Sequence, residues 1–201
     1  MRNSITLFLL LTLCHLSVSS NERVTLQLKW NHQFQFAGYY AALEKGFYAD
    51  EGLDVVIREA KPETNLVDEV VSGRAEYGVG TSELLFSHHR GLPIVVLGVI
   101  FQHSPLALLA LKEPANPHYA HITSVQDLLN QPLMLEGSSA ELIAYLTQQG
   151  LPRNALKVAK HGFDIQGLLA GKVAAMSVYT TDELFLLEEL GLPYFLFRPI
   201  D

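Results

Sequence analysis

Trp30, Asn31, His32, Gln33 and Gln35 set an indole beside four hydrogen-bonding side chains. Such a set suits a flat, polar, heteroatom-rich small molecule better than a phosphate, and no glycine-rich phosphate cradle accompanies it. Tyr39 and Tyr40 follow, and with Trp30 they offer π faces for a planar ligand. Tyr40 shares a helical stripe with Phe36, Leu43 and Phe47 and reads as core, whereas Trp30 and Tyr39 lie off that stripe and read as ligand contacts. Two turns add polar groups: Gly80-Thr81-Ser82 and Glu136-Gly137-Ser138-Ser139 both precede a helix. Free N–H groups and hydroxyls at helix starts hold anionic groups well; ordinary N-capping, worth roughly 1 kcal/mol each, is compatible with that role. Gln102 and His103 follow an apolar run and read as hinge or cleft residues. The candidate ligand-binding set is therefore Trp30, Asn31, His32, Gln35, Tyr39, Thr81, Ser82, Gln102, His103, Glu136, Gly137 and Ser138. Glu183 reads instead as the acidic partner of Thr180 in a capping box.

Other chemistries find little support. His88 and His89 are adjacent on a helix and point about 100° apart, so they cannot chelate one ion together. His118 and His121 sit in a loop without acidic neighbours. No G-x-S-x-G elbow presents a serine nucleophile. The expectation is a site without catalytic residues, metal or cofactor.

The elements that must position this set alternate. A strand with Val24, Leu26 and Leu28 on one face runs into the Trp30 elbow and then an amphipathic helix. Strand 53–59, helix 66–72, strand 75–80, helix 82–90 and the apolar strand 94–101 follow, with glycines as helix stops. The second half repeats the logic: strands 106–111, 133–135, 156–160, 174–179 and 194–197, with helices 125–129, 140–149, 165–170 and 182–190. Thr123 and Gln126 have capping-box spacing, as do Ser138 and Glu141. Short apolar strands alternating with helices imply an α/β fold whose mainly parallel sheets are covered on both faces. GRAEYGVGTSELLF at 73–86 echoes GKVAAMSVYTTDELFL at 171–186. Two lobes built alike would produce that echo, and so would any two βα units.

Residues 1–20 have the architecture of an export signal: Arg2, an almost continuously apolar stretch from Ile5 to Leu13, then Val18 and Ser20 before the cleavage point. The run is short for a membrane span, and Leu13 before Cys14 argues against a lipoprotein. Cleavage removes Cys14, the single cysteine, which leaves no disulfide and no thiolate. The chain is acidic, with a net charge of −7, and has no basic cluster, so nucleic acid is not an expected partner. The rest suffices for one large α/β domain or two small lobes; as two lobes they are placed at 21–104 and 105–201, the second with the start of a return crossover.

The stretch K-W-x-x-x-x-Q-F-A-G-Y-Y-x-A-x-x-x-G-F-Y-x-x-x-G-L-D-V resembles the opening of the SsuA/thiamine-pyrimidine-synthase-like periplasmic binding proteins. The likeness continues through SGRAEYGVGTSELL, GLPIVVLGVIFQHSPLALLA, LMLEGSSAELIAYL, FDIQGLLAGKVAAMSVYTTDELF and GLPYFLFRP. It implies a two-lobed type II periplasmic-binding fold in which the chain crosses back to finish the first lobe, so this sequence reads as C-terminally truncated, with that lobe incomplete. It implies an extracytoplasmic receptor of an ABC importer that closes by hinge motion over a small planar or anionic ligand, such as a thiamine pyrimidine precursor or an alkanesulfonate. An ABC permease is the implied membrane partner. A sensor module of a membrane signalling protein is a second possibility within the resemblance. A third is the thiamine pyrimidine synthase itself, which acts on histidine and pyridoxal phosphate. The family's lysine and histidine for that chemistry fall here on Val79 and Glu83, and its cysteine-rich iron motif is missing. Catalysis is therefore disfavoured.

Overall fold

The computed structural model describes residues 21–61, 63–136, 139–162 and 164–201; the leader and the expected Ser138–Glu141 cap thus fall wholly or partly outside the described residues. Two sheets form in succession along the chain. The first has the order β2-β1-β3, from β1 (Glu22–Gln27), β2 (Leu53–Arg58) and β3 (Tyr77–Gly78), and is parallel throughout. The second has the order β6-β5-β7-β4-β8. Its strands are β4 (Leu106–Leu111), β5 (Pro132–Leu135), β6 (Lys157–Lys160), β7 (Ala175–Tyr179) and β8 (Tyr194–Phe197). Here β5, β6 and β7 run parallel, while β4 is antiparallel to both of its neighbours.

The LALLAL run of β4 is buried at every position, because the strand's period of two feeds two cores at once. Leu106, Leu108 and Ala110 face a cluster with Ile122, Leu128, Leu142 and Leu146; Ala107, Leu109 and Leu111 face another with Ile165, Leu168 and Leu187. The first face is covered by α5 (Ala140–Gln148) and a short 3₁₀ turn at Val125–Leu128, the second by α6 (Gln166–Leu169) and α7 (Glu183–Glu189). That turn is a single 3₁₀ piece rather than the expected helix, and its cap lies one residue on from Thr123–Gln126. Asp127 accepts from the backbone N–H groups of Thr123 and Ser124 at 3.0 and 2.8 Å, and these bonds, with the Ser124 hydroxyl, hold its carboxyl down at about 2.

The first sheet is thinner. Val24, Leu26 and Val55 form its centre, with Tyr39 and Tyr48 laid over them from α1 (Ala37–Glu44) and α2 (Phe47–Asp50). Gly46, at φ 78°, divides the expected single helix. The expected apolar stripe is half buried: Phe36 is 2% exposed and Tyr40 packs beside it, whereas Leu43 and Phe47 are 36% and 56% exposed. Tyr39 and Tyr48, which lie off the stripe, complete the cover. Beyond β2, α3 (Leu66–Val71) starts at Asn65, whose side chain accepts from Val67 and Asp68. Its Glu69 binds Arg58 and Arg74 at 2.8 and 2.9 Å, which anchors the turn leading into β3.

The expected strand 94–101 does not form, and the expected strand 75–80 shrinks to two residues. Apolar, β-branched composition favours a strand only where another strand pairs with it, and β3 is the last strand of its sheet among the described residues. Val95, Leu97 and Val99 are consequently 82%, 78% and 71% exposed. A contiguous exposed run of this kind drives self-association. Replacing Val95 and Val99 by lysine is expected to lower light scattering of concentrated protein. The thermal midpoint should barely move, since surface changes stay within about 0.5 kcal/mol. A fall in midpoint of many degrees would show the segment to be buried in solution.

Candidate functional site

Ligands of open α/β sheets bind beyond the carboxyl ends of the parallel strands, and in this molecule those ends from both sheets meet. Lys29 and Trp30 follow β1, Thr81 follows β3, Glu136 follows β5, His161 follows β6 and Tyr179 closes β7. Three contacts tie the two sheets together. The Trp30 and His161 rings meet edge-on at 5.4 Å between centroids. The Gln33 amide donates to the Asp182 carboxylate at 2.6 Å. The Lys29 ammonium lies 3.4 Å from the centre of the Tyr179 ring. Glu83, which leads into α4 (Leu84–His89), faces the Ala140 N–H, which pulls its carboxyl back against the raising effect of burial.

Around these contacts the site is polar yet closed. Lys29 Nζ, Gln35 Oε1, Glu136 Oε1 and Ser139 Oγ are shielded from solvent and find no hydrogen-bond partner among the described residues. Leaving such a group unmatched costs roughly 1–3 kcal/mol, so each is a point where a solute atom brings a gain. Backbone and hydroxyl contacts hold the frame. Glu136 N–H donates to Ser177 Oγ at 2.9 Å, and Tyr179 N–H donates to Glu183 at 2.8 Å. His161 Nε2 sits 3.1 Å from the Ser177 carbonyl; a carbonyl only accepts, so that nitrogen carries the proton.

Burial dominates the electrostatics. It lowers the Lys29 ammonium to about 8, against the pull of Glu136 and Glu183. It raises Glu183 to about 7, against the Tyr179 N–H bond and with help from the charges of Asp182 and Glu136. Glu136 is raised by burial and pulled back by Lys29, Asp182 is raised by burial and pulled back by Gln33, and the His161 imidazolium is disfavoured by burial. Beside this cluster an apolar groove of about 490 Å³ opens between α4 and α5, with Ser82, Leu85, Phe86 and His89 on one wall and Ala140 and Ala144 on the other.

The sequence-derived candidates divide accordingly. Trp30, Gln35 and Glu136 lie at the junction, and Ser82 lies on the groove. Thr81 supports the turn, its hydroxyl accepting from Glu83 N–H at 3.4 Å. Tyr39 packs on the first sheet's core. His32 is exposed, with its ring against the Tyr40 hydroxyl and Glu59. Asn31 is partly buried, Gln102 and His103 are exposed, and none of the three is drawn into these contacts. Gly137 and Ser138 lie outside the described residues. Glu183 is not the expected capping partner of Thr180: it is only 8% exposed and receives the Tyr179 N–H. Lys29, His161, Tyr179 and Asp182 were absent from the candidate set. A lysine between Leu28 and Trp30, at the end of an apolar strand, was the one available signal. Among the described residues no cluster of His, Cys, Asp and Glu could hold a metal ion, and no helix is long and apolar enough to cross a membrane.

Two sheets with facing carboxyl edges define the two-lobed fold of the type II periplasmic binding proteins. Residues 33–201 match the NMT1/THI5-like family, and the chain belongs to it. It is 30% identical over 176 residues to the riboflavin-binding protein RibY of Chloroflexus aurantiacus, covering 81% of this chain and 47% of that protein. It is 26% identical over 114 residues to the 4-amino-5-hydroxymethyl-2-methylpyrimidine phosphate synthase of Legionella pneumophila, covering 56% of this chain and 34% of the enzyme. The chain thus spans less than half the length of either relative. Among solved structures it is similar to the alkanesulfonate-binding protein SsuA of Xanthomonas axonopodis bound to MOPS. That likeness has a TM-score of 0.63 at 20% identity and covers 89% of this chain and 60% of the other.

Proposed function

We propose that the chain is the ligand-binding part of an exported solute receptor, with lobes at 21–104 and 105–201, that takes a small planar solute between its sheets and works with an ABC permease. The observation that carries this reading is the meeting of strand ends from both sheets around buried polar atoms that lack partners. Hinge opening would part the two edges to admit a solute, and closure to the arrangement seen here would satisfy those atoms. Trp30 and Tyr179 supply aromatic faces, while Glu136, Gln35, Ser139 and Lys29 supply acceptors and donors. With carboxylates outnumbering the ammonium, an uncharged heterocycle such as a flavin or pyrimidine fits better than an alkanesulfonate. The leader-like residues 1–20 support export.

Mass spectrometry of small molecules released from the purified protein, followed by calorimetric titration with whatever is found, tests the reading. A bound planar heterocycle supports it. A pyridoxal–lysine adduct would replace it with the enzyme reading, to which the Legionella relative and the buried Lys29 amine are the pointers.

The Gln33–Asp182 hydrogen bond would act as a latch between the lobes. Asp182→Ala is expected to weaken solute binding roughly ten- to a hundredfold, the worth of one charge-assisted bond. Calorimetry reads the loss, and unchanged affinity would show that the bond plays no part in closure.

A further inference from the structure

Aromatic faces flanked by carboxylates recognise planar and quaternary cations, and this junction contains such a face with its cation already in place. The groups around Lys29 are Glu136 at the end of β5, Tyr179 at the end of β7, and Asp182 and Glu183 at the start of α7, with His161 after β6 and Glu83 before α4. The ammonium lies over the Tyr179 ring and within electrostatic reach of both Glu136 and Glu183, and its hydrogens have no acceptor among the described residues. An uncharged solute that presents a carbonyl or ring nitrogen beside an N–H group can satisfy Lys29 Nζ and Glu136 Oε1 together. A planar cation meets the ammonium first, and an anion meets the carboxylates.

We propose that Lys29 sets the charge selectivity of the site: fixed over the Tyr179 ring, it takes the place a planar cation would occupy and offsets part of the charge of Glu136 and Glu183, so that uncharged planar solutes enter and planar cations do not. This rests on the solute-receptor reading and adds a specificity-determining residue to it. Without Lys29 the same ring and carboxylates would form a cation site.

Three probes of one shape and different charge test the idea: benzamide, benzamidinium and benzenesulfonate, titrated by ligand-observed NMR at pH 7. The unmodified protein should prefer benzamide. Lys29→Met should shift the benzamidinium-to-benzamide affinity ratio by roughly tenfold or more toward the cation, and adding Glu183→Gln should reverse most of that shift. An unchanged ratio in a Lys29→Met protein that melts cooperatively overturns the proposal. Should that variant not fold, Glu183→Gln alone decides: leaving Lys29 less compensated, it should raise benzenesulfonate affinity about threefold or more, and no change would sink the idea. Failure of all three probes to bind the unmodified protein would remove the receptor reading itself, whereas benzamide binding with an unaltered ratio removes only the role of Lys29.

Discussion

Replacing Trp30 with alanine is expected to cost about 3–5 kcal/mol, the usual range for emptying a large aromatic site in a core. The indole is 4% exposed and packs with Leu28 and Phe36, with Tyr39 and Tyr40 beside them. Its edge also meets His161 beyond β6, so one side chain serves both sheets. The change should therefore show in two observables. Urea unfolding followed by far-UV circular dichroism should shift to lower denaturant, and the single transition should split, because the two lobes lose a shared contact. Fluorescence cannot follow it, since Trp30 is the single tryptophan. Leu28→Ala is the control. Leu28 is fully buried in the same cluster, and its loss should lower stability by about 2–5 kcal/mol while both sheets still unfold together. Trp30→Phe keeps an aromatic edge and should retain one transition. Identical behaviour of Trp30→Ala and Leu28→Ala would reduce the indole to a first-lobe core residue without a role between the sheets.

The order of elements was legible because helix and strand periods differ and glycines mark the stops. β4, β5, β7 and β8, and the helices that cover them, lie within a residue or two of their expected places. The expected strand 94–101 fails, and 75–80 shrinks to two residues, for a physical reason: a strand exists only as part of a pair, and composition says nothing about whether the partner is present. The stripe of α1 misled in a related way. Phe36 and Tyr40 pack inward as expected, but Gly46 breaks the helix before Phe47, Leu43 and Phe47 face out, and Tyr39 and Tyr48 cover the thin sheet beside them.

Part of the candidate site was visible as polar residues at strand-to-helix turns, and of those expected there Trp30, Gln35 and Glu136 lie at the junction and Ser82 on the groove. What stayed hidden is the pairing across the junction. No local pattern says that Lys29 will lie over Tyr179, or that Gln33 and Asp182, 149 residues apart, will bond. Glu183 shows the limit most plainly. Its spacing from Thr180 is that of a cap, and only the packing of α7 beneath β7 turns it into a buried acid.

That buried acid makes the solute-free protein's stability depend on pH in a direction opposite to the common one. Burial lifts Glu183 from 4.5 to about 7, so between those values the folded state keeps a proton that the unfolded state has lost. Stability rises with pH only where the unfolded state binds more protons; here it binds fewer, and this group's contribution falls as pH climbs from 4.5 to 7. At 1.36 kcal/mol per unit the full change is on the order of 3 kcal/mol. Lys29 works from the other side. Burial lowers it from 10.5 to about 8, so above 8 the unfolded state holds the extra proton and stability recovers as pH rises. Tyr179, raised by burial and by the charge of Glu136, removes stability past pH 10 and limits that recovery to the window from about 8 to 10. His161, lowered by burial, opposes the Glu183 trend below 6.5. The clean measurement is therefore a difference. Glu183→Gln, which keeps an acceptor for Tyr179 N–H, should equal the unmodified protein in urea-melt stability near pH 4.5 and exceed it by on the order of 3 kcal/mol above pH 7. A difference that stays flat from pH 4.5 to 8 would mean that Glu183 ionises freely, and that the junction is wet rather than sealed.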